Sequence, residues 1–145
     1  MPTRFERTIL ASLVPARFVT DVALNPEPFG APPTVTVKIA AALGMDGVGL
    51  FKYCSAERPE KRIKELDRFK TDGTHRIGYA IAVAWQTPLL IQVASYNGTF
   101  FFSTERNRLA FFSVDPSAYY TVGIDIRGGV HVQADGECGI TVLEI

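Results

Sequence analysis

The stretch Leu89-Leu-Ile-Gln-Val-Ala-Ser-Tyr-Asn-Gly-Thr-Phe-Phe-Phe102 decides the fold class. β-Branched and aromatic residues flank an Asn-Gly pair, and Asn97-Gly98 accepts both positive φ angles of a type I′ turn. The reading is a hairpin of strands 89–96 and 99–102. Upstream, 75–85 reads as another strand, separated from the hairpin by Gln86-Thr87-Pro88. Downstream, 109–114, 119–127, 130–134 and 140–145 carry the same composition, with a tight turn at Gly128-Gly129. Nearer the start, 34–39 alternates with Val35, Val37 and Ile39 on one face. Glycines 44, 47 and 49 then make a turn before strand 50–54. Counted from Arg17, about ten short strands follow at sandwich-like spacing. An all-β fold is expected, a β-sandwich or jelly-roll of about eight to ten short strands.

Two segments break the β pattern. Residues 57–72 hold eleven charged residues of sixteen, Pro59 suits a first helical turn, and Ile63, Leu66 and Phe69 recur every third residue. One short helix through Lys70 is predicted. Its cations Lys61, Arg62, Lys64, Arg68 and Lys70 alternate with Glu60, Glu65 and Asp67, which reads as a solvated helix face rather than a phosphate site. The other segment is 1–33, which contains six of the nine prolines. Each proline fixes its own φ and pushes its predecessor out of the helical region. Residues 1–33 are therefore expected to form an extended proline-rich arm, and 34–145 the β-sandwich domain. The arm's Phe5, Ile9, Leu13 and Phe18 need cover, because ordering an extended chain costs roughly 1–2 kcal/mol per residue and only burial offsets it.

Composition removes several functions. Lys+Arg and Asp+Glu number 15 each, without the basic excess that binding to phosphate backbones requires. The uncharged run between Ile77 and Thr104 is interrupted by Gln86, Thr87, Pro88, Gln92, Ser95, Asn97 and Gly98, so no membrane span is read. The start lacks the pattern of a secretory signal. Cys54 and Cys138 are too few for a disulfide framework and read as free, buried thiols, a single sandwich-spanning bridge being the alternative.

Neither His75 nor His131 has a second ligand at metal spacing, so no metal or other cofactor is expected. Cys54 or Ser113 could be paired with either histidine, but no nucleophile motif surrounds them. Asp125 and Glu144 fall on outward strand positions. Asn97-Gly98-Thr99 matches a glycosylation acceptor but is taken as the hairpin turn. The expectation is a non-enzymatic protein.

Aromatic residues are the unusual feature. Phe100, Phe101, Phe102, Phe111, Phe112, Tyr119 and Tyr120 form adjacent clusters, and strand neighbours point to opposite faces. Either the strands are buried on both sides within one sandwich, or the outward ring of each pair wants a partner: a second subunit, for which Phe101, Phe112 and Tyr120 are candidates, or a sugar ring on a stacking platform. Trp85 and Tyr96 are the candidates for such a platform.

The closing stretch, from Tyr119-Tyr-Thr-Val-Gly-Ile-Asp-Ile-Arg-Gly-Gly-Val-His to Ile145, resembles the last strands of jelly-roll domains in trimeric virion proteins, bacteriophage capsid decoration (cement) proteins and tail-fibre tips among them. That resemblance implies a homotrimer on the capsid surface of a virion, made in the host cytoplasm. Its proline-rich arm would clamp neighbouring subunits of the major capsid protein, with neither nucleic acid nor membrane as partner. The alternative is a carbohydrate-binding module or fibre tip that recognises glycans.

Overall fold

The computed structural model describes residues 9–27, 34–69, 78–105, 108–113, 123, 125–127, 130–135 and 138–144, with backbone alone at 108–113, 126–127 and 135. The chain is all-β. Its strands are β1 (Ile9–Leu13), β2 (Asp21–Leu24), β3 (Thr36–Ala42), β4 (Val48–Cys54), β5 (Ile63–Phe69), β6 (Ala80–Thr87), β7 (Leu90–Ser95), β8 (Gly98–Ser103), β9 (Arg108–Ser113), β10 (Ile126–Arg127), β11 (Val130–Asp135) and β12 (Gly139–Glu144). They form three antiparallel sheets of four, β1-β12-β11-β10, β2-β3-β4-β5 and β6-β7-β8-β9. Neighbours in each sheet are consecutive in sequence except where β1 joins β12. A jelly roll is instead built on Greek-key crossings.

The second sheet is the centre. On β3, Val37, Ile39 and Ala41 face one way and share a core with Val22, Leu24, Phe51 and Tyr53 and with Val132, Ile140 and Val142 of the first sheet. Ala40 and Ala42 face the other way, with Ala23, Val48, Leu50 and Phe69, and meet Val83, Ile91, Val93, Phe100 and Phe102 of the third. The strand begun by the alternation at 34–39 is buried on both faces from Ile39 to Ala42, while Lys38 on the second face stays half-buried. Burying each large apolar side chain contributes roughly 1.5–3 kcal/mol.

The expected helix is not formed. Pro59–Lys61 makes a single 3-10 turn, and β5 follows at Ile63. The three-residue spacing has another cause, because the ladder with β4 runs Leu50↔Asp67 and Phe51↔Glu65 and leaves Leu66 as an extra, bulged residue. The bulge flips the alternation, so Ile63 enters the first core and Phe69 the second, while Leu66 stays 42% exposed.

The leading segment, expected as an arm, is over residues 9–27 part of the domain. β1 pairs with β12, β2 pairs with β3, and Ala11, Val19, Val22 and Leu24 are buried in the first core. Pro15 and Pro26 lie outside both strands, which is how a proline-rich segment still enters sheets. Phe5 and residues 28–33 lie outside the described residues. The expected hairpin is present one residue off register. Ser95 pairs with Gly98, so Tyr96 and Asn97 form the loop, and Gly98, at φ +127°, begins β8 in a conformation that favours glycine.

Side chains from β2, from β6 and from the residue after β2 seal the two strands together. Asp21 accepts the Val83 N–H (3.0 Å), the Trp85 indole donates to the Ala23 carbonyl (3.1 Å), and the Asn25 amide donates to the Pro88 carbonyl (2.8 Å). Just before β2, the Thr20 hydroxyl donates to the Ala80 carbonyl (2.8 Å). At the opposite edge Arg62 and Arg68 of β5 and its approach donate to the carbonyls of Leu10 (3.4 Å) and Pro15 (2.8 Å).

Burial raises the Asp21 pKa above its ordinary value against the bonds it accepts from Val83 and Val22, with nearby Asp125 pushing the same way. A carboxyl raised in the folded state contributes stability at low pH, lost as pH rises from the ordinary to the raised value. Asp21→Asn keeps an acceptor without the charge. Its thermal midpoint relative to wild type should climb across that window and then level off, in melts from about pH 3 to 7; a constant offset would contradict this. Asp21→Ala leaves the Val83 N–H unsatisfied and should lose about 1–3 kcal/mol.

Candidate functional site

Four connections meet at one end of the molecule and bring aromatic rings together. The turn between β3 and β4 starts at Gly44, whose φ of +59° is left-handed. The Tyr79 ring lies over it, 3.1 Å from where a Cβ would stand, so a side chain here would push the ring by a few tenths of an ångström. Ala80 donates its N–H to the Gly44 carbonyl (3.0 Å), and Tyr96 donates its N–H to the Tyr79 carbonyl (3.3 Å), fixing the entry to β6 between the two turns. Tyr96 then stacks on Tyr79 with ring centroids 5.6 Å apart and planes 24° apart. Phe18, from the connection between β1 and β2, meets the same ring at 6.4 Å.

This patch is open to solvent. Tyr96 is 64% exposed, Met45 71% and Phe18 39%. Polar groups surround it. Arg17 and Asp46 approach to 3.9 Å at the rim, and the Asn97 amide packs over Gly78 beside the tyrosines. An aromatic face is electron-rich and its edge positive. It therefore suits a flat, weakly polarised C–H surface, while the rim offers a donor, an acceptor and an amide for hydroxyl groups.

No protein-family model matches the chain, and no curated protein sequence matches it.

Of the two residues expected as a stacking platform, Tyr96 is in the patch, while Trp85 is half-buried with its indole N–H bonded in the β2–β6 seam. Phe18, expected as an arm contact, lies against Tyr79. Ile9 is exposed on β1, whereas Leu13 packs on the first core. Phe101 is half-buried on β8 and sits opposite Phe111, while Phe112 sits opposite Phe100, so Phe101 and Phe112 do not share a rung. Phe5, Tyr120 and His75 lie outside the described residues, as does the side chain of Phe112.

His131 approaches Asp125 at 3.4 Å, and the Cys54 thiol receives a hydrogen bond from Thr36 at 3.6 Å. Cys54 and His131 thus contact different neighbours. Both cysteines are free and half-buried rather than fully buried. Among the described residues no three His, Cys, Asp or Glu side chains converge as metal ligands, and no helix is long and apolar enough to cross a membrane.

Tyr79 and Met45 were missed by the sequence reading. Tyr79 sits at the start of what reads as a buried strand, and only the fold shows that Gly44 leaves it a flat seat. Gly44→Ala should destabilise by roughly 1–2 kcal/mol, since a left-handed conformation then carries a Cβ. It should also change the near-ultraviolet tyrosine signal as Tyr79 is displaced. Urea unfolding and circular dichroism check both, and an unaltered spectrum would show that Tyr79 does not rest on Gly44.

Proposed function

We propose that the chain is a non-enzymatic recognition module that binds a saccharide ring on the face of Tyr96, backed by Tyr79. One observation carries this reading: Tyr96 remains 64% exposed although it is held in a stack. A side chain ordered this way without burial gains little for folding, whereas a pre-positioned ring lowers the ordering cost of binding. Phe18 and Met45 widen the apolar floor, and Arg17, Asp46 and Asn97 supply the polar edge that orients a sugar. Such a module could stand alone or form the tip of a fibre.

Glycan-array screening tests it. Retention of a saccharide class by the full chain, weakened about tenfold or more (roughly 1.4 kcal/mol) by Tyr96→Ala, is the expected result. Equal retention by wild type and Tyr96→Ala, or no retention of any glycan, would refute it.

A second reading keeps the capsid decoration protein, a homotrimer on a virion surface contacting the major capsid protein. It is favoured by Ile9 and Val14, 63% and 69% exposed on and just after β1, an edge strand of the first sheet. The clamp in this version does not draw on all of residues 1–33, because Ala11, Val19, Val22 and Leu24 are buried in their own domain. Light scattering on the purified chain should then give a trimer that Ile9→Lys with Val14→Lys dissociates to a monomer. A wild-type monomer that fails to bind particles removes this reading.

A further inference from the structure

The second face of the central sheet changes character along its strands. Its rungs Ala42–Val48–Phe69 and Ala40–Leu50 are apolar and covered by the third sheet. The next rung is Lys38–Lys52–Lys64, three lysines opposite one another on β3, β4 and β5. Beyond it Thr36 pairs with Cys54, whose N–H is donated to the Arg62 carbonyl. A groove of about 270 Å³ opens here, with Lys52, Lys64, Lys61 and Cys54 in its wall and Glu57 and Glu60 as its acidic members.

Like charges directly opposite on adjacent strands destabilise a sheet. Partners in such a rung stand about 4.5–5.5 Å apart at Cα, so Lys52 has an ammonium-bearing neighbour on each side. Among the described residues Lys52, Lys61 and Lys64 form no ion pair. Arg62, by contrast, is committed, donating to the carbonyls of Glu57 (3.1 Å) and Leu10 (3.4 Å). The whole chain carries 15 cationic and 15 anionic side chains, so the row is a local concentration rather than part of a general excess.

We infer that this groove is a binding site for a small phosphate-bearing anion, held by Lys52 and Lys64 on the sheet and by Lys61 from the 3-10 turn. The ammonium groups offer nine donors and no acceptor, which suits the oxygens of a phosphoryl group. Size and the two carboxylates select a small ligand over a polyanion, because a long chain of phosphates leaving the groove would meet Glu57 or Glu60. The site lies at the opposite end of β3 and β4 from the tyrosine patch and is independent of it.

Cys54 supplies a reporter. Its thiol is held below the ordinary pKa by the Thr36 hydroxyl and the Ala56 N–H, so a neutral alkylating reagent should modify it readily. The full chain would be titrated with inorganic phosphate and pyrophosphate at constant ionic strength, reading thermal midpoint and the rate of Cys54 alkylation by iodoacetamide. Expected are a saturable rise in midpoint, steeper for pyrophosphate and absent with chloride, and at least about threefold slower alkylation of Cys54 with Cys138 unchanged. Lys52→Gln should melt higher than wild type without anion, by relief of the rung, and should lose the response to pyrophosphate at least about fivefold. Lys64→Gln, on the exposed edge strand, gives the same test should Lys52→Gln not fold. No rise above chloride, a rise that persists in these variants, or a rise that leaves Cys54 alkylation untouched would each overturn the site.

Discussion

Burial of the central sheet on both faces is the constraint from which the rest of the structure follows. A sheet covered on one side tolerates polar residues at every second position, but β3 and β4 cannot do so toward the Gly44 turn, where the third sheet covers Ala40, Ala42, Val48 and Leu50. Val37, Ile39, Phe51 and Tyr53 fill one core, while Ala40 and Ala42 of β3, with Ala23 of β2, leave space in the other for Phe100, Phe102 and Ile91 of the third sheet. Small residues opposite large ones let two sheets interdigitate at the density interiors require. The aromatic pair Phe69 and Phe102, 5.1 Å apart at their centroids, closes that core at β5.

Three stacked layers also create a problem at their edges, where strand backbones of adjacent sheets come close without forming a ladder. Unmet backbone groups there would be expensive. The chain meets them with side chains: Asp21, Asn25 and Trp85 between β2 and β6, Arg62 and Arg68 between β5 and the first sheet. The half-buried carboxyl of Asp21 accepts backbone N–H groups, while burial pushes its pKa up against them. Trp85 serves the same seam, so its indole is placed by the fold's own needs and not as a ligand surface.

How much of this was legible in the sequence depended on whether a signal was local. The hairpin at Asn97-Gly98 was readable because turn chemistry sits within four residues, yet the loop's exact pair depended on Ser95 facing Gly98 across the ladder. The stripe at Ile63, Leu66 and Phe69 was misread as helical because a β-bulge imitates a three-residue period, and nothing in those seven residues distinguishes the two without the partner strand. Prolines in the leading segment looked like an arm because they exclude inner strands; they mark the connections, and β1 and β2 fit between them. Tyr96 was legible as a candidate ring, while its support by Tyr79 and Gly44 required the meeting of three separate turns. The row Lys38, Lys52 and Lys64 was the least legible feature. Those residues stand far apart in sequence, and only the register of two ladders makes them neighbours.

That register gives the molecule two chemically opposite ends on the same pair of strands. Toward Gly44, β3 and β4 finish in a turn roofed by tyrosines; toward Lys38 and Lys52, they emerge from the core into a cationic groove. The chain carries no net charge, and salt screens a local cluster beyond roughly one Debye length, about 8 Å at physiological salt, so neither end acts at long range. Recognition at each end must therefore come from contact, ring against ring face at one and ammonium against anion at the other. Three sheets packed through two cores suit that demand, because contact surfaces discriminate best when their groups are held in place before the ligand arrives.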